Sequence, residues 1–151
     1  MQNSKQLTKI SFLTVWFSRL VLTFVTLLFA MIAAKNLIDP VRANSIYKTT
    51  FGSPEAITNA RVSFGALPLA IAIILFFCLI SAKRHYTGLV IALLIDGLLT
   101  IVRILGIFID GKADWTLRVL RPEIGLFIAL LFAIYLRSQG IDRSGAKNGS
   151  A

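Results

Sequence analysis

Cysteine, histidine and charged residues are scarce in this sequence of 151 residues, and each scarcity excludes a class of protein. The single cysteine, Cys78, cannot form an internal disulfide, which excludes a disulfide-stabilised secreted fold. The single histidine, His85, lies in a basic turn with no acidic residue near it, so we expect neither a Ser-His-Asp arrangement nor a metal site. Only 15% of the residues are charged, against about 25% in a typical soluble domain.

Apolar residues dominate instead. They make up 56% of the chain, and the mean hydropathy is +0.78. A soluble protein of this size could not bury so much apolar surface, so the composition predicts an integral membrane protein and excludes a disordered chain or a soluble enzyme. The net charge is +9. Because the basic residues crowd the ends of apolar segments, where lipid headgroups lie, we expect no nucleic-acid binding.

Four apolar segments have about the length that a helix needs to cross the core of a bilayer. They lie at about residues 10–34, 62–81, 86–109 and 117–136. The runs are too long for strands and do not alternate between polar and apolar residues. The sequence therefore predicts an all-α fold, an integral membrane four-helix bundle that forms a single domain over residues 1–137. A polar tail with glycine and serine follows at 138–151, and we expect it to be disordered.

The positions of the basic residues bear on the orientation in the membrane. Four crossings put seven basic residues on the side of the termini and seven on the other side, so their count decides nothing. Arg61, Arg118 and Arg121 lie in or at the start of helices beside acidic residues, which favours functional roles for them. We therefore expect both termini in the cytoplasm. The first segment is too long for a signal peptide and contains Arg19, so we expect no cleavage.

Small residues four positions apart predict places where two helices approach closely. Gly125, Ala129 and Ala133 have this spacing in the fourth segment, and Gly88 and Ala92 have it in the third. Simple helix packing explains both sets without any function.

Two further local signals concern the second segment and the long loop before it. Pro68 lies inside the segment and predicts a kink. The loop at about 35–60 carries many apolar residues, so we expect it to lie on the membrane interface or to cap the bundle. A short helix over Pro54 to Ala60 is expected, with Ser53 as its cap and Glu55 in its first turn.

Charged residues inside the apolar segments are the strongest functional signal. Each costs about 2.5 to 3.5 kcal/mol at the centre of a membrane helix, so such residues should face the bundle interior and pair. At 1.5 Å per residue, Arg19 and Asp96 lie at similar depths below one face of the membrane, and Arg103 and Glu123 lie at similar depths below the other. We predict two buried ion pairs, Arg19 with Asp96 and Arg103 with Glu123.

One face of the third helix gathers the polar residues. Asp96, Thr100, Arg103 and Asp110 share one stripe at about 100° per residue, and Arg61 opens the second helix on the same side of the membrane. The candidate ligand-binding residues are Arg61, Arg103, Asp110 and Glu123. Three interpretations remain open: the pairs only set the helix arrangement, the cluster binds a polar headgroup or a small anion, or Asp96 belongs to a proton or ion path.

Several short motifs resemble a known family. They are Phe51-Gly52, Ala60-Arg61-Val62-Ser63-Phe64-Gly65, Arg103-Ile104-Leu105-Gly106, Asp110-Gly111 and Pro122-Glu123. Together they resemble the bacterial four-helix membrane family called domain of unknown function 4345, over about residues 10–137. The resemblance implies a protein of the bacterial inner membrane, related in architecture to DoxX-like proteins, and it implies no established activity. The sequence departs from the family pattern after Gly65, where Ala66-Leu67-Pro68 replaces an expected second glycine.

These observations favour a small binding or accessory protein that holds a lipid headgroup or a partner membrane protein. The alternative is a small proton-coupled transporter or carrier that uses Asp96. An enzyme that acts on a lipid or a quinone is a third interpretation, but we identify no catalytic residue. We expect no metal and no cofactor. The expected partners are membrane lipid and a second membrane protein.

Overall fold

The computed structural model describes residues 2–47, 49–111 and 114–148, and their side chains from 14 to 139 within those ranges. Every regular element in this part of the chain is helical. The helices are α1 (Gln2–Ile38), α2 (Pro40–Ser45), α3 (Pro54–Ala60), a π-helical segment (Arg61–Ala66), α4 (Leu67–Ile80), α5 (His85–Ile109) and α6 (Asp114–Asn148). The predicted all-α class is confirmed.

Four stretches are long and apolar enough to cross a membrane. They are Thr14–Ile38, Pro54–Ile80, His85–Ile109 and Asp114–Gln139. The protein is therefore a multi-pass membrane protein. The second stretch begins earlier than the sequence predicts, because α3, the π-helical segment and α4 form one continuous helical run.

The start of that run follows the predicted capping signals. The backbone N–H of Ala56 donates to the Oγ of Ser53 at 3.3 Å. Pro54 occupies the first turn, where its missing N–H costs nothing, and Glu55 follows it there. The predicted helix over Pro54–Ala60 is thus present, but it leads directly into the second span.

The π-helical segment explains how this run accommodates Pro68. In an α-helix the proline ring would press on the carbonyl four residues back, and the proline offers no N–H to bond it. Here the N–H of Leu67 bonds to the carbonyl of Val62, five residues back. The wider π turn absorbs the irregularity before the proline is reached.

The long first loop folds over one end of the helices. Asp39 caps α2 by accepting a hydrogen bond from the N–H of Arg42 at 3.0 Å. The Nδ2 of the buried Asn44 donates to the Oδ1 of Asn36 at 2.8 Å, which fastens α2 to the last turns of α1. After α2, the ring of Tyr47 meets that of Trp115 in α6 edge to face, with centroids 5.8 Å apart.

The four long helices form a ring in which each packs against two main neighbours. α1 packs against α4 and α6, and α5 packs against the same two helices, so α1 and α5 are diagonal. Fully buried aliphatic side chains from all four helices meet between them: Leu22, Val25, Leu75, Leu89 and Leu130. On one edge, Phe17 of α1 and Phe132 of α6 stack edge to face.

Both predicted small-residue sets contribute to helix packing, but not at every position. A Cβ on Gly88 would lie 2.6 Å from the Cβ of Cys78, so this glycine sets the contact between α5 and α4. Gly125 has nothing within 4 Å of such a Cβ, so the small face predicted on α6 does not extend to it. Ala133, two turns further, is fully buried. A Cβ on Gly97, which the spacing does not single out, would lie 3.0 Å from the ring of Phe127.

The C-terminal end differs from the predicted disordered tail over 138–151. α6 continues through Ser138 to Asn148, since no proline follows and each added residue gains one backbone hydrogen bond. Residues 149–151 lie outside the described residues.

The first and last helices are longer than a membrane crossing needs. α1 and α6 have 37 and 35 residues, or about 50 to 55 Å, so both exceed the roughly 30 Å core of a bilayer.

Candidate functional site

An ion pair joins α5 to α6. The Nε of Arg103 lies 2.7 Å from Oε2 of Glu123, and its Nη2 lies 2.7 Å from Oε1. This bidentate arrangement is the strongest interaction that an arginine and a carboxylate form. The side chains are 28% and 15% exposed. The structure therefore contains the ion pair that the matching depths predict.

The fold brings these residues together because α5 and α6 are antiparallel neighbours. Arg103 lies six residues before the end of α5, and Glu123 lies nine residues after the start of α6. The close approach of Gly97 to Phe127 holds the same two helices together further inside.

Asp96 and Thr100 continue the polar surface of α5 toward the middle of the membrane. They lie two turns and one turn before Arg103, and only 5% and 9% of their surfaces are exposed. The Oδ2 of Asp96 and the Oγ1 of Thr100 are buried without a hydrogen-bond partner. We call Asp96, Thr100, Arg103 and Glu123 the polar column.

Buried polar side chains on α1 behave differently. Ser18 donates to the carbonyl of Val15 at 3.0 Å, and Thr26 donates to the carbonyl of Leu22 at 2.8 Å. Among the side chains that the structure describes, buried polar atoms without a partner occur only on His85, Asp96 and Thr100, and all three residues belong to α5.

The predicted pair of Arg19 with Asp96 is wrong. Arg19 is exposed, and both side chains are described without an ion pair between them. Arg19 instead lies near the start of α5, because Leu22, one turn after Arg19, packs against Gly88, one turn after His85. Asp96 is eleven residues beyond His85 along that helix, or about 16 Å. The predicted start of the first crossing near residue 10 made Arg19 level with Asp96, whereas the contact of Leu22 with Gly88 makes it level with the start of α5.

Two other candidate residues lie apart from the polar column. Asp110 ends α5 and is exposed, so the inward stripe stops at Arg103. Arg61 is exposed at the start of the π-helical segment, which packs against α1, α2, α3 and α4. Within the described side chains, neither forms a hydrogen bond or an ion pair with Arg103 or Glu123.

His85 differs from its predicted place in a basic turn. It is not a loop residue but the first residue of α5, and it is 2% exposed with both ring nitrogens unpartnered. It shares the inward face with Gly88, Ala92 and Asp96. Extending their spacing of three to four residues backwards by one turn would have identified it.

The remaining features of the surface do not add to the polar column. An open groove of about 320 Å³ follows α3 and the π-helical segment. Its lining residues are Phe51, Ala56, Asn59, Ala60, Ser63 and Phe64. The part of the chain that the structure describes holds no cluster of three or more His, Cys, Asp or Glu residues.

The comparison with known families agrees with the motifs on α5 and α6. The model of the family described as Domain of unknown function (DUF4345) matches residues 17–134. The chain belongs to this family. The DUF4345 match contains the whole polar column, and its description assigns no activity. No curated protein and no solved structure matches the chain.

Proposed function

We propose that this DUF4345 protein is an accessory protein of the bacterial inner membrane that binds the anionic headgroup of a lipid at Arg103. The observation that carries the proposal is the way Glu123 holds the guanidinium. A guanidinium has five N–H donors, and Glu123 engages only Nε and Nη2. Arg103 is thus fixed in direction, keeps free donors and remains 28% exposed.

The depth of Arg103 suits a headgroup better than a soluble ligand. Six residues before the end of α5 correspond to about 9 Å, whereas the middle of the bilayer core lies about 15 Å below its edge. The exposed Arg118 and Arg121 at the same end of α6 add positive charge. Phosphate and ester oxygens of a lipid would satisfy the free donors of Arg103.

The proposal depends on Arg103 and Glu123 and not on the other two candidate residues. Arg61 and Asp110 belong to the same end of the molecule, but both are exposed. They would contact only the outer part of a headgroup. With both termini in the cytoplasm, as we propose, this end faces the outer leaflet. If Arg118 and Arg121 serve the headgroup, the remaining basic residues, such as Lys83 and Arg84 before α5, favour the cytoplasm on the side of the termini.

Native mass spectrometry of the protein purified from membranes tests the proposal. We expect one retained phosphatidylglycerol per chain, and at least a tenfold loss of it in the double variant R103Q/E123Q. The double variant removes both charges, so that neither is left unpaired in the membrane. Arg84→Gln is the matched control, since it removes one exposed positive charge at the opposite end of α5.

Equal phosphatidylglycerol retention in the wild type and the double variant would contradict the proposal. Competition by inorganic phosphate would identify a small anion as the ligand, and retention of a second protein in place of lipid would identify a partner subunit. Either result replaces the lipid in the proposal.

A second candidate function is a proton-coupled carrier, and the unpartnered Oδ2 of Asp96 favours it. Acidic residues in this position mark proton relays in many membrane transporters. Asp96→Asn should abolish pH-driven flux in proteoliposomes if the protein is a carrier. Flux that is absent from the wild type, or unchanged in the variant, would contradict this candidate.

A further inference from the structure

The surroundings of Asp96 leave its carboxyl group without a positive partner. Arg103 is the only basic residue on α5 after His85, and Glu123 holds two of its nitrogens. On α6, Arg118 and Arg121 lie closer to the helix start and are exposed.

The other two helices supply no charge at this depth. α4 contains no charged residue from Leu67 to Ile80, and Arg19 is the only charged residue of α1 between Thr14 and Ala34. Arg19 lies at the opposite end, one turn before Leu22, which packs against Gly88 near the start of α5. Glu123, the other charged residue of the polar column on α6, is negative.

An isolated carboxylate in an apolar environment is unfavourable by many kcal/mol, and such a group takes up a proton instead. An ionised Asp96 would also give the polar column a net charge of −1, whereas a neutral Asp96 leaves the charges of Arg103 and Glu123 balanced. We propose that Asp96 binds a proton in the resting protein and exchanges it through Thr100 with the end of the membrane where Arg103 and Glu123 lie.

The direction of exchange follows from what lies on each side of Asp96. Toward the start of α5, Leu89 and Ala92 are fully buried and separate Asp96 from His85 by about 16 Å. Toward the other end, the Thr100 hydroxyl comes one turn later, and the partly exposed Arg103 follows. The polar route therefore opens on the Arg103 side alone.

Arg103 can also take part when the proton leaves. A side chain on a helix leans toward the N-terminal end, which here is the direction of Thr100 and Asp96. Release of the proton would leave two carboxylates, Asp96 and Glu123, to share one guanidinium. The inference deepens the carrier candidate, but it concerns the resting protonation state and holds whether or not any solute moves.

Infrared spectroscopy of the protein in liposomes at neutral pH tests the inference. The difference spectrum between the wild type and Asp96→Asn should contain the C=O band of one protonated carboxyl group. In Glu123→Gln that band should disappear, because Arg103 becomes free to pair with an ionised Asp96. The exposed Asp110→Asn is the matched control and should leave the band unchanged.

A second measurement needs no variant at Asp96. Dicyclohexylcarbodiimide reacts with protonated carboxyl groups in apolar surroundings, so mass spectrometry should find it on Asp96 at least ten times more often than on Asp110.

The route through Thr100 is tested by a pH jump. Thr100→Val should slow the response of the infrared C=O band of Asp96 to the jump about tenfold. Thr26→Val is its control, since that hydroxyl is bonded within α1.

Absence of the band from the wild-type spectrum, or carbodiimide labelling no greater at Asp96 than at Asp110, overturns the inference. A response to pH that is equally fast in Thr100→Val overturns the route through Thr100. If the C=O band of Asp96 is present but the protein shows no pH-driven flux, the inference is supported and only the carrier candidate is contradicted. Lipid retention at Arg103 depends on neither result.

Discussion

Arg103 and Glu123 meet through two hydrogen bonds of 2.7 Å although they belong to different helices and are twenty positions apart in the chain. The pair is partly shielded from its surroundings, so it both joins α5 to α6 and orients the guanidinium. Its contribution to stability is measurable separately from its contribution to binding.

A double-mutant cycle measures the coupling between the two residues. Arg103→Gln should lower the free energy of unfolding by about 2 to 3 kcal/mol, because it leaves Glu123 unpaired. Glu123→Gln should lower it by less, because Asp96 can then ionise and pair with Arg103. The double variant should lose less than the sum, with a coupling of about 2 kcal/mol. Unfolding in bicelles provides the measurement, and a coupling near zero refutes the pair.

Replacing Arg19 should have little effect on stability, in contrast to replacing Arg103. Since Arg19 is exposed and far from Asp96, Arg19→Gln should change the free energy of unfolding by less than about 0.5 kcal/mol. A cycle of Arg19→Gln with Asp96→Asn should show additive effects. A coupling above about 1 kcal/mol would restore the pair that the structure rejects.

Two glycines on membrane-spanning helices should respond differently to alanine. Gly88→Ala places a Cβ 2.6 Å from that of Cys78, so α4 and α5 must separate and the protein should lose about 1 to 3 kcal/mol. Gly125→Ala meets nothing within 4 Å and should be neutral or slightly stabilising, because alanine favours a helix. Thermal unfolding in detergent compares the two, and equal melting temperatures would contradict the packing.

The link between the first loop and α1 depends on Asn44. Asn44→Ala removes the bond to Asn36 and should cost about 1 to 2 kcal/mol locally, which raises hydrogen exchange in α2 several-fold. Ser45→Ala is the control, since its exposed hydroxyl bonds only to the carbonyl of Arg42. Similar exchange in both variants would show that α2 is held by other contacts.

Much of the fold follows from local signals that the sequence displays. The crossings appear as long apolar runs, and the start of the second helical run appears in the order Ser53, Pro54 and Glu55. The π-helical turn before Pro68 and the close contact at Gly97 do not appear there, because both depend on how neighbouring turns fit together.

Estimating depth by counting residues from a membrane face predicted one ion pair correctly and the other wrongly. Arg103 and Glu123 flank one short connection, so their depths are measured from the same membrane face with little error. Arg19 lies on a helix that extends well beyond the membrane, and its depth depends on where the crossing begins. A shift of a few residues there moves a side chain by about 1.5 Å per residue.

By itself the sequence determined that this protein is helical, crosses a membrane four times and carries charges that must avoid lipid, because length, apolar content and the cost of buried charge are properties of each segment alone. Matching depths also predicted the pair of Arg103 with Glu123, which the structure contains. Only the tertiary structure decided that Asp96 has no positive partner, since that depends on which helix faces which and at what height.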